Sequence, residues 1–566
     1  MEDIELDFSR EISHKNWMAI IEDFKNSKIE CPNDTEKFLL FIRRKYKICL
    51  RKSDLIKIYN HLNLTDTYLK RSITKKRGKS HSGILEITIL TSAKPEYIDE
   101  NGKLVTGKFS CKHDCAYCPF EKASKENNWV EQPRSYLFSE PAVLRANQNN
   151  FDPILQMNSR ISTLIEMGHT ADKLEILVLG GTWSEYPRLY QEQFITKTYY
   201  AANVFFDIDK RDMKSLEEEI EINEKAQIHI IGLTLETRPD TITLEEIRRF
   251  RRYNCTRIQL GVQHTNNDVL YGINRGHTIE EVYDAIKLLK NNCYKIDIHL
   301  MPNLPFSNYE MDKTMLEEAL YNPRLQVDQY KIYPCAVVPF TKIKKWFEEG
   351  TYKPYDDLKL FELIKDFKIN VQKYKRLNRI IRDIPSTYIS GGYTDKSVNM
   401  RQLLQKNMKD ENWKCKCIRC REVKDNLVNH DDVKLMIEEF DASDSKEYFI
   451  SYETEDYLIG FLRLRINKVY DNVLDVIKEA GLIRELHVYS VLCSVGDRSD
   501  MSSQHRGYGK GLIMEAERIV KENGLNKMAI ISGTGVRDYY RKLGYVLKDT
   551  YMIKELKDDK YRCSIQ

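Results

Sequence analysis

The sequence predicts an α/β protein in two parts: a parallel sheet curled into a partial (β/α) barrel, then a smaller mixed α/β unit. Two observations carry this reading. From about residue 86 to 385, short apolar runs alternate with amphipathic runs at helical spacing, the pattern of βα units around a parallel sheet. From about residue 445, two antiparallel-looking runs precede a strand, a glycine-rich turn, a helix and a further strand. A chain of 566 residues also exceeds what one core can hold, so several domains are expected.

In order along the chain, residues 1–85 form a helical and basic region, with helical periodicity in "DTEKFLLFIRRKYKICL". Between Arg43 and Lys79 stand thirteen Lys or Arg against two Asp, with Tyr46, Tyr59 and Tyr68 interleaved. The stretch "KRSITKKRGKSHSG" ends this region and leads into "ILEITILT", the first strand. The strands that follow are "LEILVLGGTW", "IHIIGLTLETRP", "TRIQLGVQ", "YKIDIHLMPNLP" and "VDQYKIYPC", separated by pieces such as "TLEEIRRFRRYN". The barrel part is therefore placed at 86–385. A linker with a second cysteine group, "CKCIRC", spans 386–440, and the last unit spans 441–560, opening with "EYFISYE" and "LIGFLRLRI".

Bulk properties exclude several classes. A net charge of only +4 argues against a uniformly basic nucleic-acid coat. No apolar run approaches the ~18 residues of a membrane helix, and the acidic, polar "MEDIELDFSR" is unlike a secretory signal. Six of the thirteen cysteines fall in two tight clusters. In the reducing, cytoplasmic setting this implies, clustered thiols serve as metal ligands more often than as disulfides.

The first cluster, Cys111, Cys115 and Cys118, follows C-x3-C-x2-C with Tyr117 before the last thiol. Three thiolates, one per iron, suit a 4Fe-4S cluster whose fourth iron stays open. Such an iron can hold the amino and carboxylate groups of S-adenosylmethionine and reduce its sulfonium, giving a 5′-deoxyadenosyl radical that abstracts carbon-bound hydrogen. Zinc is the alternative, although it ordinarily takes four ligands. "GGTW" (Gly180, Gly181) after the next strand lets backbone approach the methionine amino group, or is an ordinary tight turn. Glu236 and Arg238 in "LETRPD", with Arg257 and Gln259 in "RIQLGVQ", stand at or beside strand ends, where barrel sites are built. Buried structural ion pairs would read the same.

In the last unit, "QHRGYGKG" (Gln504 to Gly511) follows Q-x-x-G-x-G and opens a helix with Leu512, Ile513, Ala516, Ile519 and Val520 on one face. Gly507, Gly509 and Gly511 leave N–H groups available at a helix N-terminus, a cradle for pyrophosphate. Strand, loop, helix, strand and then "GVRDYYRKLGY" is the order of acyl-CoA N-acetyltransferase (GNAT) folds. In those folds the strand before the loop pairs with the pantetheine arm, and a tyrosine on the later helix donates to the departing thiolate. Tyr540 is preferred for that role and Tyr539 is second; packing on a helix face is the alternative for both.

A radical site followed by an acetyl-CoA site is a rare pairing. From about residue 70 to the end the sequence resembles the catalytic subunit of the Elongator complex, the radical SAM and GNAT tRNA uridine acetyltransferase family. The motifs are "EPAVLRA", "FDPILQ", "GHTADKLEILVLGGTW", "GLTLETRPD", "CTRIQLGVQ", "NRGHT", "MPNLP", "RDIP", "LIGFLRLR", "IRELHVY" and "GVRDYYRKLGY". The resemblance implies acetyl-CoA contacts by Lys173, by Glu485, Leu486, His487 and Val488, by Tyr508, Gly509 and Lys510, and by Tyr540. It implies attachment of a carboxymethyl group to carbon 5 of the wobble uridine of tRNA. The basic stretch, with Lys75, Lys76, Arg77 and Lys79, is then expected to meet phosphates of the anticodon stem-loop, while tyrosines stack on its bases. "CKCIRC" resembles the zinc knuckle of bacterial and archaeal members, with Cys415, Cys417 and Cys420 as ligands and Cys335 or His430 as fourth. "CPFEKAS" departs from the glycines that many eukaryotic members carry after the first cysteines. The competing readings are a protein (histone) lysine acetyltransferase with a structural radical domain, and a non-catalytic tRNA-binding module. Whether the chain works alone, as a homodimer or in an Elongator-like assembly is not encoded in these motifs.

Overall fold

The computed structural model describes residues 14–46, 48, 50–74, 83–109, 111–382, 384–392, 400–424, 426, 428–489 and 507–556. The basic residues Lys75, Lys76, Arg77 and Lys79, and Gln504 of the glycine-rich turn, lie outside them. The chain divides into two compact units, Met1–His81 with Ser159–Ala171, and Ser82–Asn158 with Asp172–Gln566.

The first unit holds helices His14–Lys25, Pro32–Tyr46, Lys52–His61 and Thr67–Ile73. Trp17, Ile20, Phe24, Phe38, Ile42, Leu55 and Ile58 fill its core. Two tyrosines of the basic region serve this packing rather than an open face. Tyr59 is 4 % exposed, with its hydroxyl donating to Asp66 O at 2.9 Å, and Tyr46 donates to Asp23 at 2.7 Å. Tyr59 is therefore not available to stack on a base: its apolar neighbours at helical spacing drew it inside.

The second unit contains two large sheets. Its strands are β1 (Leu85–Leu90), the hairpin β2 (Glu96–Ile98) and β3 (Leu104–Thr106), then β4 (Lys173–Leu179), β5 (His229–Thr237), β6 (Arg257–Gln263), β7 (Lys295–Leu300), β8 (Gln329–Ile332) and β9 (Arg376–Arg379). β1-β4-β5-β6-β7-β8-β9 form one sheet, parallel throughout. β1 and β9 end the order, so the barrel is open, as expected. Every residue of β6 is buried, the signature of a parallel strand covered on both faces. β9 escaped the sequence reading because "RLNR" is only four residues long and Leu377 is its one apolar side chain.

The second sheet comprises β10 (Lys434–Ala442), β11 (Ser445–Glu453), β12 (Leu458–Ile466), β13 (Gly481–Val488), β14 (Lys527–Ile530), β15 (Val546–Lys548) and β16 (Tyr551–Glu555). Its order is β10-β11-β12-β13-β14-β16-β15. Only β13 and β14 run parallel, and they pair solely over Gly481–Ile483 with Met528–Ile530. β13 continues to Val488, so beyond Ile483 its β14-side edge has no strand partner among the described residues. The helix Tyr508–Glu522 covers this sheet with Leu512, Ile513, Ala516, Ile519 and Val520 against Ile483, Met528 and Ile530, the stripe that the spacing predicts.

A buried lattice of ion pairs joins the two sheets. Arg484 of β13 grips Asp328, just before β8, through both carboxylate oxygens at 2.6 and 2.8 Å. The same guanidinium donates to Glu447 of β11 at 2.7 Å, and Glu447 also accepts from Lys290 at 2.8 Å and Arg465 at 3.1 Å. Glu485 bridges Lys295 of β7 at 2.5 Å and Arg463 of β12 at 2.9 Å. Glycine allows a further close approach: a Cβ on Gly533 would stand 2.0 Å from Ile231 O, and one on Gly535 2.3 Å from His229 Cβ. The turn before the last helix is thus pressed onto the start of β5.

Candidate active site

Cys111, Cys115 and Cys118 lie in the loop between β3 and the first barrel helices, at the C-terminal side of the parallel sheet. Cys115 is buried, while Cys111 and Cys118 are partly accessible. Arg275 directs Nη1 at Cys115 Sγ across 3.7 Å, and Thr182, next to the glycine pair, lies 3.8 Å from Cys111 Sγ. Burial, reinforced by the neighbouring Cys115, pushes the Cys118 thiol up to about 12. Such thiols do not ionise together without added positive charge, and a metal group supplies it. Among the described residues, only Cys415, Cys417 and Cys420 bring three ligand atoms within 4.8 Å of one another. The first trio is more widely spread. A single tetrahedral ion with ~2.3 Å Zn–S bonds needs sulfurs about 3.8 Å apart, whereas a cubane takes each thiolate on a separate iron. The trio fits the cluster.

The glycine pair is required by space. Gly180 has φ 126°, and a Cβ there would stand 2.0 Å from Thr91 Oγ1. Arg238, 2 % exposed, donates to Asp240 at 2.8 Å and to Arg275 O at 2.7 Å. Its Nη1, with Arg275 Nε and His299 Nε2, is buried without a hydrogen-bond partner. These orphaned polar atoms at the strand ends suit a polar ligand such as S-adenosylmethionine. Glu236 is deeper, accepting from Tyr136 at 2.9 Å, and burial raises its carboxyl. Gln259 accepts from Lys331 at 2.7 Å. Arg257 is placed differently from the strand-end expectation. It begins β6, pairs with Glu175 at 2.9 Å and donates to Thr234 at 2.7 Å, so it belongs to the packing of the opposite mouth. Arg275 was missed by sequence reasoning, although "NRGHT" was noted; an arginine in a loop carries no signal until its thiolate neighbour is known.

The second half of the site is built on β13. Burial pushes the His487 imidazole down to about 4, so it is neutral near pH 7. Its Nε2 is buried and unpartnered, and its ring lies 4.4 Å from that of Tyr489. Leu486 to Val488 lie on the part of β13 without a β14 partner, where main-chain groups can bond the amides of a pantetheine arm. Gly507 caps the helix Tyr508–Glu522 with φ 81°. A Cβ on Gly509 would stand 2.6 Å from the Tyr539 hydroxyl, and one on Gly511 2.6 Å from that of Tyr452. These glycines admit tyrosine hydroxyls at the helix N-terminus, the end whose free N–H groups suit the pyrophosphate of acetyl-CoA. Tyr540 is 6 % exposed, 5.3 Å from Tyr539 and 6.2 Å from Tyr545, and burial raises its phenol. Tyr539 is 40 % exposed. Lys173 starts β4 in register with His229, against which the Gly533–Gly535 turn packs, so a barrel lysine stands beside the acetyltransferase unit.

At the linker, Cys415 and Cys417 are buried, and Lys368 directs Nζ at Cys420 Sγ across 3.7 Å. Cys335 and His430 do not join this group. Cys335 is walled in by Val337, Ile343 and Tyr352, and His430 Nδ1 meets the Tyr508 hydroxyl at 2.9 Å. The three thiols are compatible with zinc.

An open parallel barrel with a cysteine loop at its C-terminal side, continuous with a sheet splayed beside a glycine-capped helix, defines a radical SAM unit joined to an acetyltransferase unit. Residues 109–318 match the Radical SAM superfamily, 327–410 the Radical_SAM C-terminal domain, and 418–545 the Acetyltransferase (GNAT) family. The first match implies a 4Fe-4S cluster and S-adenosylmethionine, the last acetyl-CoA. The chain belongs to the family of the tRNA uridine(34) acetyltransferases and Elongator complex protein 3. It is 38 % identical over 495 residues to the tRNA uridine(34) acetyltransferase of Methanocaldococcus infernus, covering 86 % of this chain and 88 % of that protein. It is 36 % identical over 504 residues to Elongator complex protein 3 of Schizosaccharomyces pombe, covering 87 % and 89 %. Among solved structures, the archaeal Methanocaldococcus infernus Elp3 with an N-terminal deletion is similar, with 35 % identity and a TM-score of 0.68 over 84 % of this chain and 100 % of that one. Among the described residues no helix is long and apolar enough to cross a membrane.

Proposed function

We propose that this chain modifies the wobble uridine of tRNA, joining the acetyl group of acetyl-CoA through its methyl carbon to carbon 5 of the uracil and giving 5-carboxymethyluridine. The observation that carries this reading is β13. The strand that faces acetyl-CoA is the one whose Glu485 and Arg484 are locked to Lys295 and Asp328 of the barrel. The two halves are therefore fastened to each other by buried ion pairs, as a reaction shared between them requires.

Cys111, Cys115 and Cys118 would hold the 4Fe-4S cluster, and Gly180, Gly181, Arg238 and Glu236 would surround S-adenosylmethionine. Together these groups supply hydrogen abstraction from the acetyl methyl, with the methionine derivative as two-electron oxidant overall, so that the carbon–carbon bond replaces two C–H bonds. Water then cleaves the thioester, leaving the carboxylate and free CoA. This chain's own part is positional and protic. Leu486 to Val488 present main-chain groups to the pantetheine arm, neutral His487 offers an uncharged ring nitrogen, and Lys173 stands at the start of β4, on the barrel mouth beside the acetyltransferase unit. Tyr540, kept protonated by burial, donates to the leaving thiolate. The lysine acetyltransferase alternative needs none of the barrel. The discriminating experiment measures CoA release by the cluster-loaded protein: release that depends on added tRNA is expected, and equal release onto a lysine peptide without tRNA sinks the reading.

A further inference from the structure

Around the cysteine loop the fold leaves large aromatic side chains in solvent. Trp129, Phe306 and Phe340 are 72 %, 60 % and 52 % exposed. Each also has a left-handed backbone, with φ of 61°, 68° and 64°. Bulky residues avoid that region because Cβ crowds the backbone, and burial does not explain them here. Strain held at exposed positions beside a reaction centre is characteristic of a ligand-facing role.

All three are tied to the cysteine segment, directly or through neighbouring residues. The Phe120 N–H donates to Phe340 O at 3.0 Å. Phe306 packs over Gly272, and the neighbouring Ile273 O accepts from Ala116 N at 2.9 Å. The loop bearing Trp129 leaves after Phe120 and returns by Gln132 N to Glu121 O at 3.0 Å and Ser135 N to Pro119 O at 3.1 Å. It is internally fixed: buried Asn127 donates to Glu121 at 3.1 Å and to Lys122 O at 2.8 Å, and Trp129 N donates to Ser124 O at 2.7 Å. Cations stand among the rings. Arg134 lies 4.1 Å from the Phe120 ring centroid and Lys122 5.7 Å. Arg134 and Lys342 share the carboxylate of Asp114, each at 3.0 Å, so this triad holds one more cation than anion.

We propose that Trp129, Phe306 and Phe340 form a stacking rim for unpaired bases of the single-stranded RNA loop that carries the target uridine, with Lys122, Arg134 and Lys342 taking adjoining phosphates. The proposal rests on the reading of the substrate above and deepens it. A base drawn out of its stack leaves neighbours that need new faces to cover them, and aromatic rings interleaved with cations supply both. The loops that follow β7 and β8 bring Phe306 and Phe340 to the same end of the barrel as the cysteines, where the reacting base must come.

The test uses the full-length, cluster-loaded protein and a labelled anticodon stem-loop, comparing wild type with Trp129→Ala, Phe340→Ala, the double variant and Trp129→Phe. Each lost stack is expected to weaken binding from roughly 5-fold to over 100-fold. The slope of affinity against salt should stay unchanged, because no phosphate contact is removed. Trp129→Phe should retain most of the affinity, and iron content should match wild type. Unchanged RNA affinity and modification in the double variant, beside an active wild type, overturns the rim alone and leaves these rings to a protein partner. A wild type that neither binds nor modifies the RNA overturns the substrate reading and this inference together.

Discussion

Replacing Cys115 by serine will abolish formation of the modified uridine while leaving tRNA and acetyl-CoA binding near wild type. Cys115 is the buried member of the trio and faces Arg275, so its loss removes a proposed cluster ligand that solvent cannot readily replace. Binding should persist because the acetyl-CoA contacts proposed above lie on β13 and the helix Tyr508–Glu522, in a different sheet with its own core. The loss should be complete. General acid–base help is worth about 10²–10⁴-fold, and no such factor makes a methyl C–H reactive without the radical. Iron content, S-adenosylmethionine cleavage and uridine product measured together check this. Full product from an iron-free variant would contradict it.

The second large effect is on stability. Asp328→Ala will lower the unfolding free energy by about 3–5 kcal/mol, the range for leaving a buried charge without its partner. Arg484 loses two of its hydrogen bonds, Arg463 loses a contact at 3.5 Å, and the Ile296 N–H loses an acceptor at 2.8 Å. The same lattice gives an acid limb. Burial alone would raise the Glu485 carboxyl, but Lys295 and Arg463 outweigh it and hold it down to about 2. Its folded value lies below the unfolded one of ~4.3, so its stabilisation is full above that pH and is lost as pH falls towards 2. Urea unfolding of wild type and variant between pH 7 and 3 reads both effects. A variant within 1 kcal/mol of wild type would contradict the role given to this lattice.

These lattice residues show where sequence reading stops. Arg484 sits in "IRELHVY" and Asp328 in "VDQYKIYPC", and both segments were recognised as strands. Nothing in either says that the two side chains meet, because an ion pair between sheets leaves no periodicity. The parts that were legible have local causes. Cys111, Cys115 and Cys118 carry their spacing with them, β6 announces itself by apolar Ile258, Leu260 and Val262 at alternate positions, and the helix face from Leu512 to Val520 follows from 3.6-residue spacing. β10, β15 and β16 were missed for opposite reasons: β10 is exposed at most positions, and the other two span only three and five residues. Aromatic residues were the least readable class. Tyr59 lay in a basic stretch and proved to be core, whereas Trp129 lay in an unremarked loop and proved to be exposed.

The central claim is that both halves act on one acetyl group. It is tested by incubating the cluster-loaded protein anaerobically with S-adenosylmethionine, tRNA and acetyl-CoA deuterated at its methyl group, then analysing nucleosides and small products by mass spectrometry. Deuterium should appear in 5′-deoxyadenosine, and the carboxymethyl group on the wobble uridine should retain the other two. An unmodified uridine with no label in 5′-deoxyadenosine, beside acetyl groups transferred intact to lysine, would contradict it.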